Sequence, residues 1–228
     1  MIPPAPSAPK NLYSDMLGGH LLRNLNDIPA SGRAVAVLRH SARDEITTMR
    51  DAPFVPLNAR GLEAAEAFGA ALPEGRHLVL WHSPILRCQE TAEQILRGYG
   101  GGTIRGADEG LGIPYVLDLA ALADLATRMG QREFATRWFL DDLEEGVVQP
   151  SEDAARTLAA LATGRLAAAK PGEIHLLVSH DWNVMLLRER LLGLRHQEVG
   201  WLDFLDGVVF TSDGEISLRW ADEVSRLG

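Results

Sequence analysis

Three short segments of the chain combine histidine with arginine, serine or aspartate, residue types that bind and transfer phosphate. They read RHSAR at residues 39–43, HSPILR at residues 82–87 and SHDWN at residues 179–183. The planar fork of an arginine side chain matches phosphate oxygens two at a time. An imidazole held beside an electrophilic phosphorus can act as its nucleophile. Brought together in space, the three segments would form a phosphate site.

Each segment directly follows a short, unbroken apolar run. The runs are AVAVL at residues 34–38, LVLW at residues 78–81 and IHLLV at residues 174–178. Runs this short and rich in Val, Ile and Leu are typical of strands buried on both faces of a parallel sheet. Because ligands of open α/β sheets bind at the carboxyl ends of the strands, we expect the three segments to converge on one pocket.

Helical patterns alternate with these strands, and their predicted starts are marked by capping residues, namely Asn58, Ser83, Ser151 and Asp181. Two last apolar runs, residues 208–210 and 216–220, lie close together and predict a terminal hairpin. This order of elements predicts a three-layer α/β/α sandwich around a mostly parallel, mixed sheet.

The same order suggests how the chain is divided. Residues 1–33 are expected to form an N-terminal arm with a helix at about residues 12–25, and residues 34–228 a single domain. The stretch between Arg97 and Glu173 is longer than one crossover connection requires, so we expect part of it, at about residues 98–150, to form a cap-like insertion over the sheet edge. Two helices are expected within this insertion, at about residues 118–126 and 131–143.

Composition narrows the class of protein. The 228 residues include 22 Lys and Arg against 31 Asp and Glu, a net charge of −9, and one cysteine, Cys88. An acidic surface disfavours nucleic acid as a partner. A lone cysteine excludes an internal disulfide framework and a multi-cysteine metal site. Because the chain has neither a secretory signal nor a run of about 20 apolar residues, we expect a cytoplasmic protein with no membrane partner.

The motifs resemble those of the histidine phosphatase superfamily, the phosphoglycerate mutase-like proteins. LRHSAR is similar to their RHG signature, SPILRCQETAEQI to their second motif, and LLVSHDWN to the third, in which histidine follows a strand. VPLNARGLEAAEAFG is similar to the helix after the first motif, and the His-Asp pair resembles the acid phosphatase branch. The matches keep the family's order over roughly residues 34–210, which makes them specific as a set.

This resemblance implies that His40 is the nucleophile and that His180 contacts the same phosphoryl group. It also implies phosphate-binding roles for three arginines, Arg39, Arg43 and Arg87. His82 is expected either to line the phosphate pocket or simply to pack. Ser41 stands where the family usually has glycine, which could alter how closely the backbone approaches the ligand.

The proton donor is chosen among three carboxylates. Asp181 is preferred because of the His-Asp resemblance, although aspartate at a helix start is also a common cap. The short-chain branch of the family often takes its acid from a glutamate between the second and third motifs. Glu109 and Asp118 lie in that region, but neither matches the local pattern.

These residues favour a phosphatase that hydrolyses a phosphomonoester through a phosphohistidine on His40, without metal or cofactor. A phosphomutase or phosphotransferase would use the same phosphohistidine, and a non-catalytic phospholigand-binding protein would share the fold. A metal-dependent hydrolase fits poorly, since the chain has no HExxH or His-x-His pattern and its arginines would repel a cation.

The expected partner is a small phosphorylated substrate, whose identity must be set by the insertion or by the insertion together with the N-terminal arm. Five side chains there are either contacts to the leaving group or parts of exposed helix faces: Arg105, Arg128, Arg132, Arg137 and Trp138. Three apolar residues near the C-terminus are either an edge of the core or a homodimer interface: Trp201, Phe204 and Leu205.

Overall fold

The computed structural model describes residues 13–46 and 51–227. Its strands are β1 (Ala34–Arg39), β2 (His77–His82), β3 (Thr103–Ala107), β4 (Glu173–Ser179), β5 (Gly207–Ser212), β6 (Ile216–Trp220) and β7 (Glu223–Leu227). They form one sheet in the order β3-β2-β4-β1-β5-β6-β7. Strands β1 to β4 pair in parallel, whereas β5 to β7 add antiparallel pairs, so the predicted mixed sheet is confirmed.

The helices are α1 (Gly19–Asn26), α2 (Ala59–Ala70), α3 (Leu86–Tyr99), α4 (Leu119–Met129), α5 (Gln131–Phe139), α6 (Ser151–Ala168), α7 (Asp181–Leu192) and α8 (His196–Val199). Two short 3-10 turns span Ala52–Phe54 and Glu109–Leu111. The cap of α2 is as the sequence predicts, since the side-chain oxygen of Asn58 accepts from the N–H of Gly61 at 2.9 Å.

Alternate residues of β1 point to opposite faces of the sheet, and each face carries its own core. Ala36 and Leu38 pack with α1, α2 and α3, whereas Val35 and Val37 pack with α6, α7 and the helices of the insertion. All are buried, because β1 lies between β4 and β5. The predicted three-layer sandwich is confirmed.

Helices α2 and α3 approach closely because glycines lie where they touch. A Cβ at Gly69 would lie 2.1 Å from the carbonyl oxygen of Ile95, and one at Gly98 would lie 1.9 Å from that of Glu66. Both helices follow strands whose ends carry the predicted phosphate ligands, so their packing fixes those strand ends relative to each other.

Strand pairing brings the three predicted segments to one edge of the sheet. Arg39, the last residue of β1, is opposite Ser179 of β4. His82, the last residue of β2, is opposite Val178 of β4. The expected convergence of the three strand ends therefore occurs.

Several elements differ from the expectation. The N-terminal helix lies at Gly19–Asn26, and its leucines Leu21, Leu22 and Leu25 are fully buried, so this part of the expected arm belongs to the core. Residues 1–12 lie outside the described residues. The first residues after α3 form β3 at the sheet edge, and the terminal hairpin of β5 and β6 gains a third strand, β7.

The insertion packs against α7. The ring of Phe134 on α5 stacks on that of Trp182, with centroids 5.3 Å apart, and Trp138 meets the same indole edge-on at 6.2 Å. Trp138 is thus part of the core rather than a contact to a ligand. No described helix is long and apolar enough to cross a membrane.

Candidate active site

His40 lies just beyond β1, where its backbone N–H donates to the carbonyl oxygen of Ser179 at 2.9 Å. Its ring Nδ1 is 2.8 Å from the carbonyl oxygen of Ser41. Because a carbonyl oxygen can only accept a hydrogen bond, Nδ1 must donate one. Its Nε2 accepts from Nε of Arg87 at 2.9 Å. The ring is therefore the neutral tautomer with the proton on Nδ1, and its lone pair is on Nε2.

His180 follows β4 and lies beside His40, with ring centroids 5.7 Å apart. Nη2 of Arg87 lies 3.3 Å from Nδ1 of His180, and a guanidinium can only donate. The proton of His180 is therefore on Nε2, which donates to Oγ of Ser83 at 3.0 Å. The sequence predicts that Ser83 caps the helix after β2, but the N-cap residue of α3 is Ile85. The hydroxyl group of Ser83 instead orients His180.

Burial and the positive charge of Arg87 lower the pKa of both rings. The pKa of His180 falls to about 3, and that of His40 falls well below its ordinary value. Both imidazoles are therefore neutral near pH 7. A neutral ring has the lone pair that a nucleophile requires.

Acidification is expected to destabilise the fold through these rings. An unfolded histidine takes up its proton near pH 6.5, whereas folded His180 does so only at about 3. Between these values the unfolded state binds more protons, so the free energy of unfolding falls as pH falls, by up to about 1.4 kcal/mol per pH unit for each ring. Urea unfolding between about pH 7 and pH 4 measures this slope.

The slope should be shallower in His180→Gln than in the wild type. His77→Gln is the matched control, because His77 is exposed at the start of β2. Equal slopes in the wild type and in His180→Gln would contradict this expectation.

Three guanidinium groups, those of Arg39, Arg43 and Arg87, stand around the imidazoles. Burial lowers the pKa of each, and the positive charges of Arg39 and Arg43 lower the pKa of Arg87 further. In the part of the chain that the structure describes, the carboxylate that ion-pairs with them is Asp181, 3.3 Å from Nη2 of Arg39. The positive charges of the three guanidinium groups outnumber this one ion-paired carboxylate, and the excess suits an anionic ligand such as a phosphate dianion.

Asp181 begins α7, and both of its oxygens are occupied. Oδ1 accepts from the backbone N–H of Trp182 at 3.0 Å, and Oδ2 accepts from Nε1 of Trp201 at 3.0 Å. Burial raises the pKa of Asp181, but Arg39 and the Trp201 hydrogen bond outweigh it and hold that pKa below its ordinary value. Asp181 is therefore a carboxylate when no ligand is bound.

The other candidate acids are placed differently. Asp118 caps α4, where its Oδ1 accepts from the N–H groups of Ala120 and Ala121. Glu109 begins the 3-10 turn Glu109–Leu111. Gly112, the residue after this turn, ties it to α7, because its carbonyl oxygen accepts from the side-chain amide of Asn183. The structure thus brings Asp181, rather than Asp118, against the arginines.

Two aromatic residues of the site were not predicted as such. The guanidinium of Arg39 lies over the ring of Phe204, 4.1 Å from its centroid, and the His40 ring is 5.8 Å from the same centroid. The indole N–H of Trp201 donates a hydrogen bond to the carboxylate of Asp181. Leu205, in the same segment, is fully buried. The sequence alone allowed Trp201, Phe204 and Leu205 to be either an edge of the core or an interface. In the structure Leu205 belongs to the core, and the two aromatic residues contact the site.

Ser41, which replaces the family's usual glycine, braces the turn after β1. Its Oγ donates to the carbonyl oxygen of Gly61 at 2.7 Å, and its N–H donates to Oγ1 of Thr91 at 3.0 Å. The side chain therefore ties the turn to α2, while the backbone ties it to α3. Thr91 belongs to the second motif, so the motif itself pointed to it.

The other histidine and the cysteine singled out in the sequence lie close to the same strand ends. His82 is buried at the end of β2, with its Nδ1 2.8 Å from the carbonyl oxygen of Ser83. Cys88 is fully buried on α3, and burial raises the pKa of its thiol to about 12, which suppresses the nucleophilic thiolate. Residues 13–46 and 51–227 contain no group of three or more side chains arranged to hold a metal ion.

The ends of three parallel strands of this α/β sheet hold two neutral histidines among three arginines, an arrangement of positive charge that suits an anionic ligand. The model of the histidine phosphatase superfamily (branch 1) matches residues 35–209. The chain belongs to the histidine phosphatase superfamily, as its motifs predict. It combines a branch 1 match with a His-Asp pair that resembles the acid phosphatase branch.

Solved structures share the fold at low sequence identity. YhfR of Bacillus stearothermophilus is 18% identical with a TM-score of 0.58, over 80% of this chain and 92% of that chain. Mycobacterial glucosyl-3-phosphoglycerate phosphatase Rv2419c in complex with VO3 is 20% identical with a TM-score of 0.58, over 82% and 96%. A protein described as mycobacterial hydrolase 2 is 19% identical with a TM-score of 0.57, over 86% and 93%. No match was found among curated protein sequences.

Proposed function

We propose that the protein hydrolyses a phosphomonoester through a phosphohistidine on His40, without a metal or cofactor. The observation that carries this proposal is the neutral His40 ring, whose Nε2 lone pair lies 2.9 Å from a guanidinium nitrogen of Arg87. Membership in a superfamily that includes phosphatases supports hydrolase activity in general. The reaction and the residue roles below are inferred from the contacts of the site.

Substrate binding begins with exchange of hydrogen bonds. The Nε–H of Arg87 covers the lone pair of His40 in the free protein. A phosphate oxygen is a stronger acceptor for a guanidinium than a neutral imidazole is. A phosphoryl group between Arg39, Arg43 and Arg87 therefore takes over this donor and leaves Nε2 facing phosphorus.

In the first step, Nε2 of His40 attacks phosphorus and the bond to the leaving oxygen breaks. The electron pair of that bond stays on the oxygen, which receives a proton from Asp181. The phosphorylated ring carries a positive charge, and its Nδ1–H remains on the carbonyl oxygen of Ser41. The positive charges of the arginines stabilise the phosphoryl group as it transfers.

Asp181 must be protonated for this step, although it is ionised in the free protein. A bound phosphate dianion engages Arg39 and adds negative charge nearby, and both effects raise the pKa of Asp181. In the second step the ionised carboxylate accepts a proton from water, whose oxygen attacks phosphorus. The P–N bond breaks, its electron pair returns to Nε2, and inorganic phosphate leaves.

Hydrolysis of 4-nitrophenyl phosphate, with a metal chelator present, tests the proposal. His40→Ala is expected to lower kcat by about 10³-fold or more, because the nucleophile is lost. His77→Ala is the matched control, since His77 lies exposed at the opposite end of β2. Its turnover should equal that of the wild type.

The outcomes separate hydrolysis from the alternatives. Turnover that His40→Ala retains, or that the chelator abolishes, would contradict the proposed mechanism. If the folded wild-type protein binds phosphate but forms no inorganic phosphate from the ester, hydrolysis of that ester is excluded. Transfer from a phosphorylated donor to an alcohol would then be measured, because a phosphomutase needs the same phosphohistidine.

A further inference from the structure

The helices of the insertion carry arginines in two different situations. Arg128 pairs with Asp124 at 2.8 Å, and Arg137 pairs with Glu133 at 2.8 Å, each within its own helix. Arg132, also exposed, has no carboxylate within ion-pairing distance among the residues that the structure describes. Its positive charge is therefore available to a ligand.

Of these three arginines, Arg132 is linked through Trp201 to Asp181, the proposed proton donor. Its guanidinium lies over the indole ring of Trp201, 5.2 Å from the centroid. Nε1 of the same ring donates to Oδ2 of Asp181 at 3.0 Å. One indole ring thus separates a fourth guanidinium from the group that protonates the leaving oxygen, and the charge of Arg132 lowers the pKa of Arg39.

The leaving group must extend from the phosphate on the side of Asp181, because that carboxyl group must reach the leaving oxygen. There it meets the exposed guanidinium of Arg132. We propose that the substrate carries a second anionic group on its leaving group and that Arg132 binds it. This inference rests on the proposed phosphatase function and specifies its substrate class.

Two aryl phosphates of nearly equal shape test the inference. 4-Carboxyphenyl phosphate carries the second anion, and 4-carbamoylphenyl phosphate is its neutral counterpart. The wild type should show a kcat/KM about tenfold higher for the carboxylate ester, the effect of one charge-assisted hydrogen bond. Arg132→Gln should bring this ratio close to one, whereas Arg128→Gln, a change at an exposed arginine paired within its own helix, should keep it.

A wild-type ratio near one, or a ratio that persists in Arg132→Gln, would overturn the inference. Hydrolysis of both esters at equal rates would leave the proposed function intact and contradict only the role of Arg132. If neither ester is hydrolysed, the proposed hydrolysis fails for these esters. The dissociation constants of the two esters are then measured by calorimetry, and their ratio replaces the ratio of kcat/KM. Tighter binding of the carboxylate ester that is lost in Arg132→Gln supports the role of Arg132, and equal binding of the two esters by the wild type overturns it.

Discussion

Arg87→Met is expected to lower kcat/KM for an aryl phosphate by about 10²–10³-fold, the usual effect of removing one donor from a developing anionic charge. The substitution keeps a long side chain but removes the group that contacts both His40 and His180. The same guanidinium is, after burial, the main cause of the lowered pKa of each ring. The pKa of both histidines should therefore rise toward the ordinary value.

The two effects are measured separately. Proton NMR titration of the ring C–H signals reports the pKa values, and steady-state kinetics report kcat/KM. Because His40 would be protonated at a higher pH, the residual activity should begin to fall at a higher pH during acidification than it does in the wild type. Arg97→Met, an exposed change near the end of the same helix, is the control. Unchanged histidine pKa values in Arg87→Met would contradict this account of the site.

The convergence of the site could be predicted because it depends on parallel pairing alone. Once the runs before His40, His82 and His180 are taken as neighbouring parallel strands, their polar ends must meet at one edge. The structure adds the tautomers, which depend on the partners of each ring nitrogen. Ser83 illustrates the difference, since its place between β2 and the following helix is visible in the sequence but its bond to His180 is not.

The remainder of the site could not be predicted because its contacts are distant in sequence. Phe204 and Trp201 reach Arg39 and Asp181 from a segment without a motif, and only the fold of the chain between α7 and β5 brings them there. Strand β3 was missed for a different reason. Its residues TIRGA contain no apolar run, as suits an edge strand that is only partly buried.

The charge of the site also depends on packing. Arginines are common along this chain, so their number predicts little. Burial of Arg39, Arg43 and Arg87 around one carboxylate is what leaves the site with excess positive charge. Arg39 and Arg43 flank the turn after β1, and the tight packing of this turn against α2 holds both arginines in place.

Gly61→Ala is expected to destabilise the fold by about 1–3 kcal/mol and to weaken phosphate binding, because it overpacks this contact. A Cβ at Gly61 would lie 1.9 Å from the carbonyl oxygen of Ala42, in the turn between His40 and Arg43. The turn cannot easily yield, since Asn58 donates its N–H to that same oxygen at 3.2 Å and Ser41 bonds the carbonyl oxygen of Gly61 at 2.7 Å.

Gly164→Ala provides the matched control for this substitution. Gly164 is also helical, on α6, but a Cβ there meets no atom within 4 Å. Its replacement should be neutral or stabilise the protein by about 0.5–1 kcal/mol, the ordinary gain of alanine over glycine in a helix. Urea unfolding measures the stability of both variants, and calorimetric titration with vanadate measures oxyanion binding. Equal stability and equal vanadate affinity in the two variants would show that the turn does not depend on the close approach of α2.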